Sequence, residues 1–167
     1  MKYLGKYRGT VLNNLDPEQR GRIQAEVPDF TKGFPTSWAH PSVPMAGPQC
    51  GHVSVPPIGA AVWIEFEQGN RDHPIWTGCF WGSVAEVPAL ATATPPPFQS
   101  IVLQTQGQQT LMLSDMPGPT GGIMLKSATG AMILINELGI TLSNGQGATI
   151  TLVGPAVAVN IDALMVT

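Results

Sequence analysis

The sequence predicts an all-β protein in two parts, and three observations lead to that prediction. Proline and glycine, with 16 and 19 copies among 167 residues, interrupt the chain so often that long helices have no room. β-Branched residues dominate the apolar runs between these interruptions, which favours strands. Over the second half, apolar residues recur at every second position, as they do in strands that bury one face.

Five short strands are predicted in the first part, which we place at residues 1–85. Turn-forming residues separate them, as in Asp16–Gly21 and Pro56–Gly59. Five short strands in so few residues are typical of a small closed barrel such as the OB-fold. The predicted strands lie near Tyr7–Leu12, Arg22–Val27, His52–Val55, Ala61–Glu67 and Ile75–Phe80.

A proline-rich linker is predicted at residues 86–99. Its three consecutive prolines, Pro95, Pro96 and Pro97, hold the backbone extended and donate no backbone hydrogen bonds, so they suit neither a helix nor a central strand. The composition changes across this stretch, because ten of the eleven aromatic residues lie before residue 82. We therefore place the domain boundary at the linker.

Eight apolar doublets recur from residue 100 to residue 167, joined by short links that contain Gly or Asn. Strands this short with links this short predict a repeating stack rather than a globule. The doublets are Ile101/Leu103, Leu111/Leu113, Ile123/Leu125, Ile133/Ile135, Ile140/Leu142, Ile150/Leu152, Val157/Val159 and Leu164/Val166.

The missing aromatic residues indicate what kind of stack this is. None follows Phe98, although a globular core of this size would use rings to fill its space. A single thin chain would bury too little surface, whereas three chains around one axis would close a prism, with inter-chain hydrogen bonds and polar residues outward. We predict an intertwined triple-stranded β-helix in a homotrimer, with a needle core of Ile101, Leu103, Leu111, Leu113, Ile123, Leu125, Ile133, Ile135, Ile140, Leu142, Ile150, Leu152, Val157 and Val159.

Charge is scarce and slightly negative. Charged residues make up 11% of the chain, against about 25% in an average soluble domain, which suggests that much of the surface is covered by other copies. The net charge of −3 argues against nucleic-acid binding, which needs an excess of Lys and Arg. No secretory signal and no transmembrane stretch is recognisable, and we expect Cys50 and Cys79 to be free thiols in a protein made in the cytoplasm.

Neither a catalytic nor a metal site is expected. Cys50, His52, His73 and Cys79 lack the close spacing of a metal-binding motif, so we predict no metal and no cofactor. Glu65 and Glu67 lie two apart on a predicted strand, which fits an exposed strand face better than the facing carboxylates of a glycosidase.

The four tryptophans admit a second interpretation. OB-type barrels bind single strands of nucleic acid or oligosaccharides through exposed rings, so such a binding protein is the alternative function. The first 82 residues carry seven cations and seven anions, however, and lack the required positive groove. We therefore interpret Trp38, Trp63, Trp76 and Trp81 as barrel core and trimer contacts, and His40 as a strand or interface residue.

Residues 5–82 resemble a known family. The similarity lies in Tyr7–Val11, in Asp16–Glu18 followed by Gly21–Pro28, in Trp38–His40, in Ala46–Gly47 with Gly51, and most specifically in Pro56–Asn70 with His73–Gly78. These stretches resemble the baseplate-hub OB domain of contractile phage tails, shared with the valine-glycine-repeat spike proteins of type VI secretion. The second part is similar to the needle of that family in pattern only.

The resemblance implies a structural central spike and not an enzyme. No lysozyme segment separates barrel and needle, and the barrel begins near Met1, so we expect the hub to be a separate protein. The end of the chain has no histidine, so we expect a separate conical tip protein of the proline-alanine-alanine-arginine repeat type at Leu164, Met165, Val166 and Thr167. The spike would be assembled in the cytoplasm and would meet the target membrane only within its particle, in a phage, an extracellular injection system or a secretion system.

Overall fold

The computed structural model describes residues 2–29, 31–161 and 163–166, with only the backbone for Met165 and Val166. The chain divides into two compact units, residues 1–84 and 85–167, and each is described by itself. Nearly all regular structure in both units is β, which confirms the predicted all-β class. Among the described residues, no helix has the length and apolarity needed to cross a bilayer.

The first unit contains a five-stranded sheet in the order β2-β1-β6-β7-β3. Its neighbouring strands are antiparallel except β3 and β7, which are parallel. Ile23 and Ala39 pair across the two edges of this sheet, with N–H to O=C distances of 3.1 and 2.7 Å, and so close it into a barrel. The strands of the unit are β1 (Tyr7–Asn13), β2 (Gln24–Glu26), β3 (His40–Pro41), β4 (Ala46–Gly47), β5 (Cys50–Gly51), β6 (Ala61–Phe66) and β7 (Pro74–Cys79).

The barrel core follows from the alternation of its strands. Every second residue of β6 is buried. The buried residues of the neighbouring strands are Gly9 and Val11 on β1 and Ala25 on β2. Aliphatic side chains fill the centre, and Phe66 and Trp76 close it at 6% exposure each. The fully buried members are Val11, Ile23, Ala25, Val27, Ala39, Val62 and Ile64.

The predicted strand His52–Val55 is wrong. This segment is irregular, with His52, Val53 and Ser54 exposed, because Pro56 and Pro57 follow it and cannot donate to a strand ladder. The fifth barrel strand is instead the short β3, and His40 lies on it, which agrees with the first of the two roles expected for this residue. β4 and β5 pair only with each other among the described residues and form a separate hairpin.

The second unit contains an eight-stranded antiparallel sheet in which strands follow one another in chain order. Each predicted doublet lies on its own strand, which confirms the period-2 interpretation. The strands are β8 (Ser100–Gln104), β9 (Thr110–Ser114), β10 (Gly122–Lys126), β11 (Met132–Asn136), β12 (Gly139–Ser143), β13 (Thr149–Val153), β14 (Ala156–Val159) and β15 (Leu164–Val166).

The hydrogen-bond ladder of this sheet runs within one chain. Each strand from β9 to β14 pairs with the strand before it and the strand after it, so its backbone groups are occupied on both edges. This differs from the sequence-based prediction, in which the hydrogen bonds between strands join different chains. Links of a few residues with glycine or asparagine favour direct hairpins, which explains the difference.

The segment before β8 is extended only in part. A 3-10 turn covers Val84–Glu86, and the one-turn helix α1 covers Ala89–Thr92 and lies beside β8. Alanine and leucine favour a helix there, and Pro88 precedes it, where a missing N–H costs nothing. The three prolines follow after this turn.

Candidate functional site

One face of the eight-stranded sheet is apolar from edge to edge. The doublets of neighbouring strands are direct cross-strand partners, so they form two columns of eight residues. We call this surface the apolar face. The first column is Ile101, Leu113, Ile123, Ile135, Ile140, Leu152, Val157 and Val166, and the second is Leu103, Leu111, Leu125, Ile133, Leu142, Ile150, Val159 and Leu164.

The apolar face is open to solvent in a single chain. Ile101 and Leu103 are 61% and 58% exposed, and seven further members still expose 39–48%. Part of the second column lines a groove of about 750 Å³, with Leu125, Ile133, Leu142 and Ile150 in its wall. Exposed apolar patches of this extent are rare on monomeric proteins and mark interaction surfaces. The face therefore needs a partner surface.

The opposite face is not polar throughout, contrary to the prediction. Its central positions on the first four strands are Val102, Met112, Met124 and Leu134. On the next three strands, Thr141, Thr151 and Ala158 follow the predicted pattern of polar or small outward residues. Met112 and Met124 are only 5% and 8% exposed. The sequence signal for this apolar stretch is the apolar residue that lies between the two members of each of the first four doublets.

The loop between β9 and β10 folds towards this opposite face. Asn136, on the same face of β11 as Leu134, donates from Nδ2 to the Pro119 carbonyl at 3.2 Å. The Gly118 N–H donates to Glu137 Oε2 at 2.9 Å. One side of the sheet is thus partly covered by its own chain, whereas the apolar face is left free.

In the barrel, Asp16 organises the turn that precedes β2. Its carboxylate accepts hydrogen bonds from the backbone N–H groups of Glu18, Arg20 and Arg22, and from Arg22 Nε and Nη2 at 3.0 and 2.6 Å. The Arg22 guanidinium also lies 5.5 Å from the centre of the Trp38 ring. The Asp16 and Arg22 side chains are only 4% and 9% exposed, and Arg22 holds the pKa of Asp16 well below its usual range.

Replacing Asp16 with asparagine should lower the melting temperature of the protein at neutral pH. A carboxyl whose pKa is depressed by folding stabilises the native state above its unfolded pKa of about 3.9, and this contribution is lost as the pH falls towards the folded value. The difference between the parent and Asp16→Asn should therefore shrink on acidification below about pH 4. Thermal melts between neutral and acidic pH measure it, and a difference that is constant with pH would contradict the assigned role.

The outer wall of the barrel carries two cross-strand clusters. Lys6 pairs with Glu65 and donates to Thr77 Oγ1 at 3.0 Å. Next to it on β1, the Arg8 guanidinium lies 5.7 Å from the centre of the Trp63 ring and 5.3 Å from that of Phe80.

The other tryptophans differ in their environment. Trp76 is in the core, as predicted, and donates from Nε1 to the Gly21 carbonyl. Trp81, in contrast, is 63% exposed.

Among the residues that the structure describes, the side chains weighed above as metal ligands or as a carboxylate pair do not form a site. Within the described part of the chain, no three His, Cys, Asp or Glu side chains form a group that could hold a metal ion. Glu67 is not on β6 with Glu65 but begins a 3-10 turn, where its Oε2 lies 4.0 Å from His73 Nδ1. Glu65 and Glu67 thus have different partners rather than one shared site.

The two thiols should differ in reactivity. Cys50 and Cys79 are both free and exposed, but partial burial raises the pKa of Cys79. Because the thiolate is the nucleophile, a raised pKa slows alkylation at neutral pH. We expect iodoacetamide to modify Cys50 before Cys79 when peptides are followed by mass spectrometry. Faster labelling of Cys79 would contradict this order.

Comparison with known proteins assigns both units. Residues 7–81 match the type VI secretion system/phage-baseplate injector OB domain, and residues 100–165 match the phage baseplate V C-terminal trimerisation domain. Two curated relatives, the type VI secretion system spike proteins VgrG2a and VgrG2b of Pseudomonas aeruginosa, are each 30% identical over 74 residues. The match covers 42% of this chain but only 9% and 7% of those relatives. The chain belongs to the phage baseplate V family of baseplate and spike proteins, with an injector OB domain followed by a trimerisation domain.

Proposed function

We propose that three copies pack their apolar faces against one another around a common axis and form a triple-stranded β-helix, the needle. The observation that carries this proposal is the pair of unbroken apolar columns, most of whose described members remain 36–61% exposed in a single chain. A sheet with one apolar face must bury it against another layer. Three such sheets would place every member of the predicted needle core inside, and their aliphatic side chains suit a narrow axis.

The needle would act as the central spike of a contractile injection system, and its role would be mechanical. Support comes from the combination of an injector OB domain and a trimerisation domain, and from the name of the relatives as spike proteins. A ladder that pairs every strand from β9 to β14 on both edges would resist axial load. The spike would help to puncture the target envelope and would not need catalytic groups.

Two partners would complete the spike. A hub protein would hold the barrels at the tube, and a conical tip protein would cap the other end. β15 supports the second assignment, since it pairs only with β14 among the described strands and leaves one edge open to a partner. The proposed tip interface is Leu164, which is 59% exposed, together with Met165, Val166 and Thr167, the last of which lies outside the described residues.

Electron microscopy of assembled particles tests this function. We expect particles from cells that lack the chain to miss the central density at the baseplate and to fail in penetrating target envelopes. Reintroducing the parent chain should restore both. Complete central density in particles that lack the chain would contradict the proposal. As a test of the non-enzymatic role, the purified chain should leave peptidoglycan uncleaved in a zymogram.

A further inference from the structure

The cluster of Arg8, Trp63 and Phe80, which we call the Arg8 platform, has the composition of a binding hot spot. The Trp63 and Phe80 rings lie 4.7 Å apart between centroids at 39°, and the Arg8 guanidinium lies over both of them. Stacking on two rings fixes the guanidinium in place before any partner arrives. Arginine and tryptophan are the residues most enriched at the energetic centres of protein interfaces.

The Arg8 platform offers donors that the chain itself leaves unused. Arg8 forms no hydrogen bond and no ion pair with any residue that the structure describes, although its guanidinium has five N–H donors. By contrast, the neighbouring Lys6 is engaged with Glu65 and Thr77 of its own chain. A partner that supplies a carboxylate to Arg8 would gain a charge-assisted, two-pronged contact.

The barrel carries such a carboxylate on the adjacent part of its wall. Asp16, Glu18 and Glu65 are paired with cations, and Glu67 lies near His73. Among the described residues, Glu26, Asp29 and Asp72 have no cationic side-chain partner. Of these three, only Glu26 lies on a barrel strand, half-buried on the outer side of β2 between the buried Ala25 and Val27.

The positions of these two groups suit a closed ring. β2 and β6 flank β1, so the Arg8 platform on β1 and β6 lies beside Glu26 on β2. Within one chain, Arg8 turns towards β6 and away from β2, since both of its ring contacts lie on that side. A contact between two different surfaces of the same chain generates a closed ring when the rotation between neighbouring copies closes, as a three-fold rotation does.

We infer that the Arg8 platform of one barrel docks on Glu26 of the neighbouring copy, so that three barrels form a closed ring. This inference rests on the proposed trimer, because the trimerisation domain would hold the barrels at high effective concentration. Even a contact of modest affinity is then occupied. The barrel thereby contributes its own specific interface to the assembly, in addition to that of the needle.

Distances between spin labels test the docking in the full-length protein. A nitroxide is attached to Cys50, which lies in the exposed β4–β5 hairpin, after Cys79→Ser removes the second thiol. The parent should give a narrow distribution of distances between the three labels. Arg8→Glu should lose the narrow peak, and so should Glu26→Arg. The double variant Arg8→Glu/Glu26→Arg should recover it, because the exchanged charges attract again across the interface.

Lys6→Gln serves as the matched control. It removes a positive charge two residues from Arg8, just before β1, but the partners of Lys6 belong to its own chain, so the narrow peak should remain. A broad distribution in the parent, a narrow one in Arg8→Glu, or no recovery in the double variant would overturn the inference. Native mass spectrometry of the same samples separates the two claims. A monomeric parent overturns the proposed trimer, whereas a trimer that is indifferent to Arg8→Glu overturns only the barrel contact.

Discussion

Replacing Leu142 with aspartate is expected to convert the protein from trimers to monomers at neutral pH. In a single chain Leu142 is 39% exposed, so an introduced carboxylate remains hydrated and the sheet can still fold. In the proposed needle the same position of three chains meets in an apolar core, and each unpaired buried charge costs several kcal/mol. Sedimentation analysis of Leu142→Asp at neutral pH measures the outcome.

The neighbouring residue provides the matched control. Thr141 lies on the same strand but points to the opposite face, where it pairs with Leu134 and Thr151. Thr141→Asp introduces the same charge on β12, so it should leave the trimer intact if only the apolar face associates. A trimer that survives Leu142→Asp, or one that is lost equally in both variants, would argue against burial of the apolar face.

Replacing Gly139 with alanine is expected to produce the second large effect, a loss of stability of the sheet itself. Gly139 begins β12 with a φ of +141°, and a Cβ there would lie 1.9 Å from the Leu152 carbonyl oxygen. A Cβ at Gly122 would likewise lie 2.0 Å from the Ile135 carbonyl oxygen. Overpacking against side chains costs about 1–3 kcal/mol, and backbone has less freedom to move aside, so we expect at least the upper end of this range.

Chemical denaturation of Gly139→Ala against the parent measures this loss. Gly107→Ala is the control, because a Cβ at Gly107 would meet only Thr105 Oγ1 at 3.9 Å, which is an ordinary contact. We expect Gly107→Ala to unfold at the same denaturant concentration as the parent. An equal midpoint for Gly139→Ala would show that β12 and β13 do not approach as closely as described.

The second unit could be predicted from the sequence almost strand by strand. Its signal is local, since residues two apart on one strand share a face, and every doublet from Ile101/Leu103 to Leu164/Val166 lies on a strand. What the pattern could not specify is which chain provides the neighbouring strand. The ladder lies within one chain because the short links bring consecutive strands together, and that depends on turn geometry rather than on periodicity.

The barrel was less predictable where its contacts are long-range. β1, β6 and β7 have clear alternation, but β3 consists of only His40 and Pro41 and gains its place by pairing with β7 and closing onto Ile23. The Arg8 platform likewise joins side chains from β1, β6 and the residue after β7. Its formation depends on strand order and on the irregular register between β6 and β7, which no local pattern reveals.

The Asp16 turn could be predicted from the sequence only in part. The residues from Asp16 to Gly21 predicted a turn, and the turn is present. The role of Arg22 as the partner of Asp16, and its position over the Trp38 ring, could not be predicted from the turn residues themselves. Turn chemistry can thus be predicted from neighbouring residues, whereas the side chains that stabilise the turn come from farther along the chain.

In the proposed trimer, two further copies of the same chain bury the apolar face. Analytical ultracentrifugation of the full-length protein, with its thiols reduced and at neutral pH, measures whether they do. We expect one species with the mass of three chains that persists on dilution, because the interface completes the core of the second unit. A single species with the mass of one chain would contradict it.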